Sequence, residues 1–266
     1  MRTAVDVDLG TPHLRLEADG PVAWLTVDHP TRRNALTMAM YRGIGRALRA
    51  VEEHPALEVL VVTGVDDVFI AGGDVGDHDH ADRDAHDEDA LPFDLLHDGR
   101  VPVVAAINGH CQASGLWLAC LADISVASDR ARFRLPELRL GVAAPWSALV
   151  LPALTGLARA KDLALTGRAF GADEAYQMGL VARIAPHDRL AAAATEVAAG
   201  LIEAAPDARR AWKQLAHGAL RPVRAEAVAA SISTAEAAEG FAAFLERRPP
   251  HWSPRAADPE GGAVRA

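Results

Sequence analysis

With 266 residues, half of them apolar and about a quarter charged, the chain has enough apolar side chains for one large core, or a core with an appendage. Its formal net charge of −9 at pH 7 excludes a general nucleic-acid binder, which needs a basic face, but leaves room for a local arginine cluster that takes a small anion. Cys111 and Cys120 in the apolar middle read as buried, reduced thiols; no signal pattern opens the chain and no apolar run nears the ~20 residues that span a bilayer. The expectation is a cytoplasmic protein with no nucleic-acid or membrane partner.

In chain order, segments 13–17 and 22–27 read as strands joined by a turn at Asp19-Gly20-Pro21. A helix is predicted over 37–54, where Met40, Ile44, Ala47, Leu48 and Val51 recur at helical spacing. A buried strand over 59–63 turns at Gly64, and strand and loop follow through Phe69-Ile70-Ala71-Gly72-Gly73-Asp74. The crowd of Asp and His between 77 and 89 admits a divalent-metal reading, but a solvated, self-repelling loop suits it better, and no metal site is assigned. The apolar run 101–107 is another buried strand, ended by Gly109; Ala113-Ser114-Gly115 then opens a helix over 116–121, and a strand follows at 124–127. This alternation predicts an α/β core with parallel pairing. Beyond about 158 the pattern is helical apart from a short strand near 181–184, and a single C-terminal helix is expected over 225–247. A shift to alanine-rich composition after Pro186 divides the chain into a core, 1–186, and a helical region, 187–266, with a polar tail from about 255.

Several chemistries lack their motifs: there is no G-x-x-x-x-G-K-[ST], no G-x-G-x-x-G after a strand, no H-E-x-x-H and no G-x-S-x-G. What remains are two small-residue turns, Ala71-Gly72-Gly73 and Ala113-Ser114-Gly115, each after a buried strand. Small residues let backbone N–H groups approach a ligand, and the second turn adds the positive end of a helix dipole. Two such turns meeting at one point would form an oxyanion hole; separately they are tight turns of an α/β sheet.

Six segments in order resemble the crotonase (enoyl-CoA hydratase/isomerase) superfamily, over roughly residues 14–252. They are Pro30-Thr31-Arg32-Arg33-Asn34-Ala35-Leu36; Phe69-Ile70-Ala71-Gly72-Gly73-Asp74-Val75; Asn108-Gly109 with Ala113-Ser114-Gly115 and Asp123; Phe133-Arg134-Leu135-Pro136-Glu137-Leu138 with Gly141; Leu165-Thr166-Gly167-Arg168 through Gly179-Leu180-Val181; and the stretch from Glu239 to Pro249. The resemblance implies a spiral of ββα turns with a helical region that builds a homotrimer or a dimer of trimers. It implies an acyl-CoA substrate, with coenzyme A arriving as part of that substrate and no other cofactor. The N–H groups of Gly73 and Ser114 match the oxyanion donors, and Glu137 matches a catalytic glutamate. Arg33 (or Arg32), Ala35, Ala71, Asp74, Val75 and Gly76 match the coenzyme-binding stretches. Either arginine also reads as a solvated surface charge.

Two departures bear on the reaction. A second water-gripping glutamate of the family's hydratases is replaced by Trp117, and a further carboxylate position is Pro145. Trp117 and Trp146 read equally as acyl-pocket walls or as core. One carboxylate suits moving a proton between two carbons of one acyl chain, so the resemblance implies an enoyl-CoA isomerase or isomerase/hydratase. The alternatives are another CoA lyase or decarboxylase of secondary metabolism, or a catalytically silent acyl-CoA binder.

Overall fold

The computed structural model describes residues 2–77 and 92–253. Apart from Asp77, the acidic loop lies outside the described residues, as does the polar tail. The first half runs β1 (Thr3–Ala4), β2 (Leu14–Asp19), β3 (Val22–Val27), α1 (Met38–Glu53), β4 (Val59–Gly64), β5 (Val68–Ile70), α2 (Phe93–Asp98), β6 (Val103–Ile107), β7 (His110–Gln112), α3 (Ser114–Leu121), β8 (Ile124–Ser128) and β9 (Arg132–Arg134). Then come α4 (Pro145–Leu149), α5 (Leu151–Thr155), α6 (Leu157–Thr166), β10 (Ala169–Gly171), α7 (Ala172–Gln177), β11 (Arg183–Ala185), α8 (Leu190–Ile202), α9 (Pro206–His217), α10 (Ala225–Ile232) and α11 (Ala235–Leu245).

Seven strands form one sheet in the order β1-β2-β3-β4-β6-β8-β11, parallel from β3 onward. Its central strands are apolar on both faces because both faces are covered. Side-chain alternation splits them between two cores: Leu60, Val62, Val103, Ala105 and Ile107 point one way, toward α1 and α3, whereas Val59, Val61, Val104 and Ala106 point the other way, toward Leu190, Ala194, Val197 and Ala198 of α8. This explains the uninterrupted apolar runs that mark β4 and β6 in the sequence.

Four short strands form a second sheet, β10-β9-β7-β5, in which β5, β7 and β9 are mutually parallel. None of β7, β9 and β10 is predicted from the sequence; each spans three residues, too few for a period to show. Helix α3 is apolar all round and lies buried against β5, β6 and β7, as a helix inside a core must.

The expected C-terminal helix is two helices. The first ends at Ile232 with Ser233 as its cap, and Thr234 caps the second, its hydroxyl accepting from the Ala237 N–H at 3.0 Å. Helix α11 also packs on its own chain, against the turn 137–140, and does not stand away from the core. A Cβ on Gly240 would lie 2.2 Å from the Leu140 carbonyl oxygen, and one on Gly141 would lie 2.5 Å from that of Glu236, so only bare backbones allow this approach. Phe244 and Leu245, in its last turn, stay more than half exposed.

Candidate active site

Three parallel neighbours, β5, β7 and β9, end side by side, and the three candidate segments leave from those ends. Residues 71–73 follow β5, 113–115 follow β7, and Glu137 follows β9 after two residues. Ligand sites of parallel sheets form at carboxyl ends of strands, where successive loops converge. The Ala113 N–H, donating to the Arg134 carbonyl at 3.3 Å, ties the second and third segments together.

The first two segments touch through residues that leave almost no side chain between them. A Cβ on Gly72 (φ 118°) would meet the Ala113 methyl at 3.1 Å, and one on Gly115 would stand 2.5 Å from the Ile70 carbonyl oxygen. Ala113 has φ 49°, ψ −118°, a region that ordinarily only glycine enters, and this strained residue aims the start of α3. Leu36 bridges to the Gly73 strand end: its N–H donates to the Gly72 carbonyl at 2.8 Å and its carbonyl accepts from the Asp74 N–H at 2.9 Å. Among the described residues, the N–H groups of Gly73 and Ser114 find no protein acceptor. The Ser114 N–H belongs to the first turn of α3, where donors have no intrahelical partner.

Two asparagines hold this geometry. Asn34, in the left-handed region and 1% exposed, accepts from the His29 N–H at 2.8 Å and donates to the Val68 carbonyl at 2.7 Å. Asn108 accepts from the Gly64 N–H at 3.0 Å and donates to the Asp66 and Val68 carbonyls. Both therefore clamp the turn before β5. The neighbouring Gly109 is obligatory, since a Cβ there would fall 1.8 Å from the Asp67 carbonyl oxygen.

Glu137 opens a 3-10 turn and is 9% exposed, with neither carboxylate oxygen in a hydrogen bond of sound geometry among the described residues. Burial, which penalises the charged form, pushes its pKa up to about 7; the nearness of its own N–H and of the Trp146 indole offsets this in part. A carboxyl poised near neutrality is suited to take and return a proton. Four more buried polar groups lack partners among the described residues, and two of them lie one helical turn apart on α3: the Ser114 hydroxyl and the Trp117 indole N–H. Buried polar groups in folded proteins are almost always paired, so orphans gathered on Ser114, Trp117 and Glu137 mark a place built to receive something else.

Trp117 and Trp146 are both buried and both stand at this place. Trp117 stacks on Phe93 with ring centroids 3.6 Å apart, and its plane is within 6° of that of Trp146, 6.0 Å away. Among the described residues, Phe93, Asp94, His97, Leu121, Arg221 and Val223 border a small recess against Trp117.

The coenzyme-binding candidates form a rim. Ala35, Ala71, Val75 and Gly76 are partly exposed, while Asp74 is buried, accepts from the Gly76 N–H at 2.9 Å and lies 3.9 Å from the Arg32 guanidinium. Arg32 and Arg33 are both exposed, and only Arg32 approaches the Asp74 loop. Leu245 of α11 comes within 3.9 Å of a Cβ built on Gly76, so the last helix borders the same rim. Sequence reasoning missed Phe93 and Tyr41. The hydroxyl of Tyr41 lies 3.2 Å from a Cβ built on Gly73, and its ring packs on Phe93. An aromatic with a polar tip on the apolar stripe of α1 was the available signal.

The chain is similar to known proteins over most of its length. A family model described as enoyl-CoA hydratase/isomerase matches residues 17–255. A mevalonyl-coenzyme A hydratase from Aspergillus fumigatus is 32% identical, covering 93% of this chain and 94% of that protein. A carnitinyl-CoA dehydratase from Salmonella arizonae is also 32% identical, covering 90% and 97%. The crystal structure of an enoyl-CoA hydratase/isomerase from Pseudoalteromonas atlantica superposes with a TM-score of 0.79 at 29% identity, over 91% of this chain and all of that one.

Proposed function

The chain belongs to the enoyl-CoA hydratase/isomerase family, and on that basis we propose that it moves a proton within the acyl group of a coenzyme A thioester, through an enolate, using one carboxyl group. The observation that carries this reading is that buried polar groups of Ser114, Trp117 and Glu137, in the segments that leave three parallel strands, have no partner among the described residues. In the proposed reaction the Gly73 and Ser114 N–H groups hold the thioester oxygen. The Glu137 carboxylate takes a proton from the α-carbon of a 3-enoyl thioester, and the electron pair moves onto the oxygen as an enolate. Glu137 then returns the proton to the γ-carbon, leaving the conjugated 2-enoyl thioester. Coenzyme A lies along Arg33, Ala35, Ala71, Asp74, Val75 and Gly76, and Trp117 and Trp146 wall the acyl group.

Trp117 favours isomerisation over hydration, because an indole cannot serve as a second proton-transferring group. The second reading, addition or removal of water, has support of its own: the relatives above are named as a hydratase and a dehydratase. Exchange of α-hydrogens of butyryl-CoA in D2O tests the enolate common to both, and its absence would leave a mere binder. The ratio of 3-enoyl isomerisation to 2-enoyl hydration then separates them; faster hydration overturns the isomerase reading.

The assembly we propose is a trimer or a pair of trimers. The exposed Trp212 and Leu215 on α9 and Phe244 and Leu245 on α11 supply apolar surface for it. Light scattering should give a multiple of three subunits, and a monomer at micromolar concentration would refute the assembly.

A further inference from the structure

Resting on the reading of Glu137 as the proton carrier, we propose that the indole N–H of Trp146 donates to the ionised Glu137 carboxylate, which makes Trp146 a positioning residue for it. One short segment carries both side chains. The turn that Glu137 opens ends at Gly141 in the left-handed region (φ 71°), and the Val142 N–H returns to the Glu137 carbonyl at 3.0 Å. Ala144 is left-handed as well (φ 48°, ψ 71°), although it is not glycine. Ser147 clasps the Ala144 carbonyl twice, with its N–H at 3.0 Å and its hydroxyl at 2.9 Å. These two reversals fold the start of α4 back on the turn, and strain of the kind held at Ala144 collects where geometry serves a site. The Trp146 indole is thereby brought beside the Glu137 carboxyl.

The ring is fixed in that place. Trp146 is buried, and its plane lies within 6° of that of Trp117, which is itself stacked on Phe93. An indole nitrogen donates and never accepts, so beside a carboxyl it favours the anion over the acid. Charged side chains on the elements packed against the turn and α4 are turned to other partners or to solvent. Arg139 donates to the Thr166 carbonyl and Arg134 to the Gly167 carbonyl. Asp162 pairs with Arg168 and Glu239 with Arg248, while Arg159, Lys161, Glu226 and Glu236 are exposed. Neither Glu137 oxygen has an aligned bond as the chain stands, which suits a carboxyl whose burial favours its protonated form. Ionisation supplies the charge that draws the N–H into line.

The pH dependence of α-hydrogen exchange of butyryl-CoA in D2O tests this in the wild type and in Trp146→Phe, which keeps a ring in the stack and removes the N–H. The rate rises with pH as the Glu137 base ionises. In the variant this rise should come about one pH unit higher or more, the worth of one hydrogen bond to a charged group. Exchange on the acid side should then fall about tenfold, with the gap narrowing as pH climbs. Loss by one constant factor at every pH, with the midpoint unmoved, is what a purely structural role predicts, and it overturns the inference. Wild type that exchanges nothing at any pH sinks the enolate reading instead, and the unliganded protein then decides, as it does if Trp146→Phe does not fold. In the 15N-labelled chain, one of the five indole resonances should titrate, keep titrating in Trp117→Phe and stand still in Glu137→Gln. An indole set that does not titrate, or one whose titration survives Glu137→Gln, overturns the inference.

Discussion

The two sheets of this chain are built on opposite terms. At the centre of the seven-stranded sheet lie longer, apolar strands buried on both faces. The four-stranded sheet is made of three-residue strands, and its ends collect a strained alanine, a left-handed glycine and buried polar atoms without partners among the described residues. The larger sheet spends its residues on stability. The smaller one gives some stability up where its three parallel strands end, and that is where chemistry becomes possible.

The sharpest way to test this contrast is Glu137→Gln. Turnover should fall by roughly 10²–10⁴, the usual worth of a positioned acid–base group, while acyl-CoA affinity stays nearly constant, because the proposed oxyanion donors are backbone groups. Single-turnover rates with a parallel binding titration check it; a small loss of rate would move the chemistry to another residue. In the larger sheet the effects should be inverted. Leu60→Ala, at a fully buried site, should cost roughly 2–5 kcal/mol in denaturant unfolding and leave the rate constant of the chemical step almost unchanged.

Next in size is a pH effect on stability. Glu137 rises from an ordinary value of 4.5 to about 7 in the folded chain, so folding favours its protonated form. That contribution is fully present below pH 4.5 and is lost as pH climbs to about 7. Glu137→Gln, which never ionises, should therefore match the wild type at pH 4.5 and exceed it by up to about 3 kcal/mol at pH 8. Urea unfolding at the two pH values measures the gap, and a gap independent of pH would contradict the burial argument. The smallest effect is that of Ala113→Gly. Relief of the strained φ and ψ should raise stability by about 1 kcal/mol, against the usual loss for glycine. A lower unfolding midpoint would mean that the alanine is not strained.

The same contrast governs what the sequence revealed. Runs such as 59–63 and 101–107 are legible because burial on both faces writes itself as uninterrupted apolar residues. The strands β7, β9 and β10 are hidden, since three residues carry no period and their pairing is set by distant partners. The site residues emerged through short segments, not through any one of them: Asn34, Asn108 and Gly109 look like plain turn residues until their shared clamp on the 65–68 turn is seen. Phe93 stayed hidden because nothing local pairs it with Trp117, and the break at Thr234 was masked by an alanine-rich stretch with high helix propensity on both sides.

The contact of Gly240 and Gly141 across α11 and the Glu137 turn has a consequence for how the site can change over time. Ordinary joints are adjusted by trimming or enlarging a side chain, but this one has none: every possible substitution at either glycine adds bulk against a carbonyl. The distance between the last helix and the proton carrier is thus closed to gradual mutational adjustment from within. It can be reset only from outside, through whatever grips the exposed Phe244 and Leu245 at the C-terminal end of that helix. Variation in this protein's lineage should therefore accumulate on the outer face of α11 while the inner face stays bare.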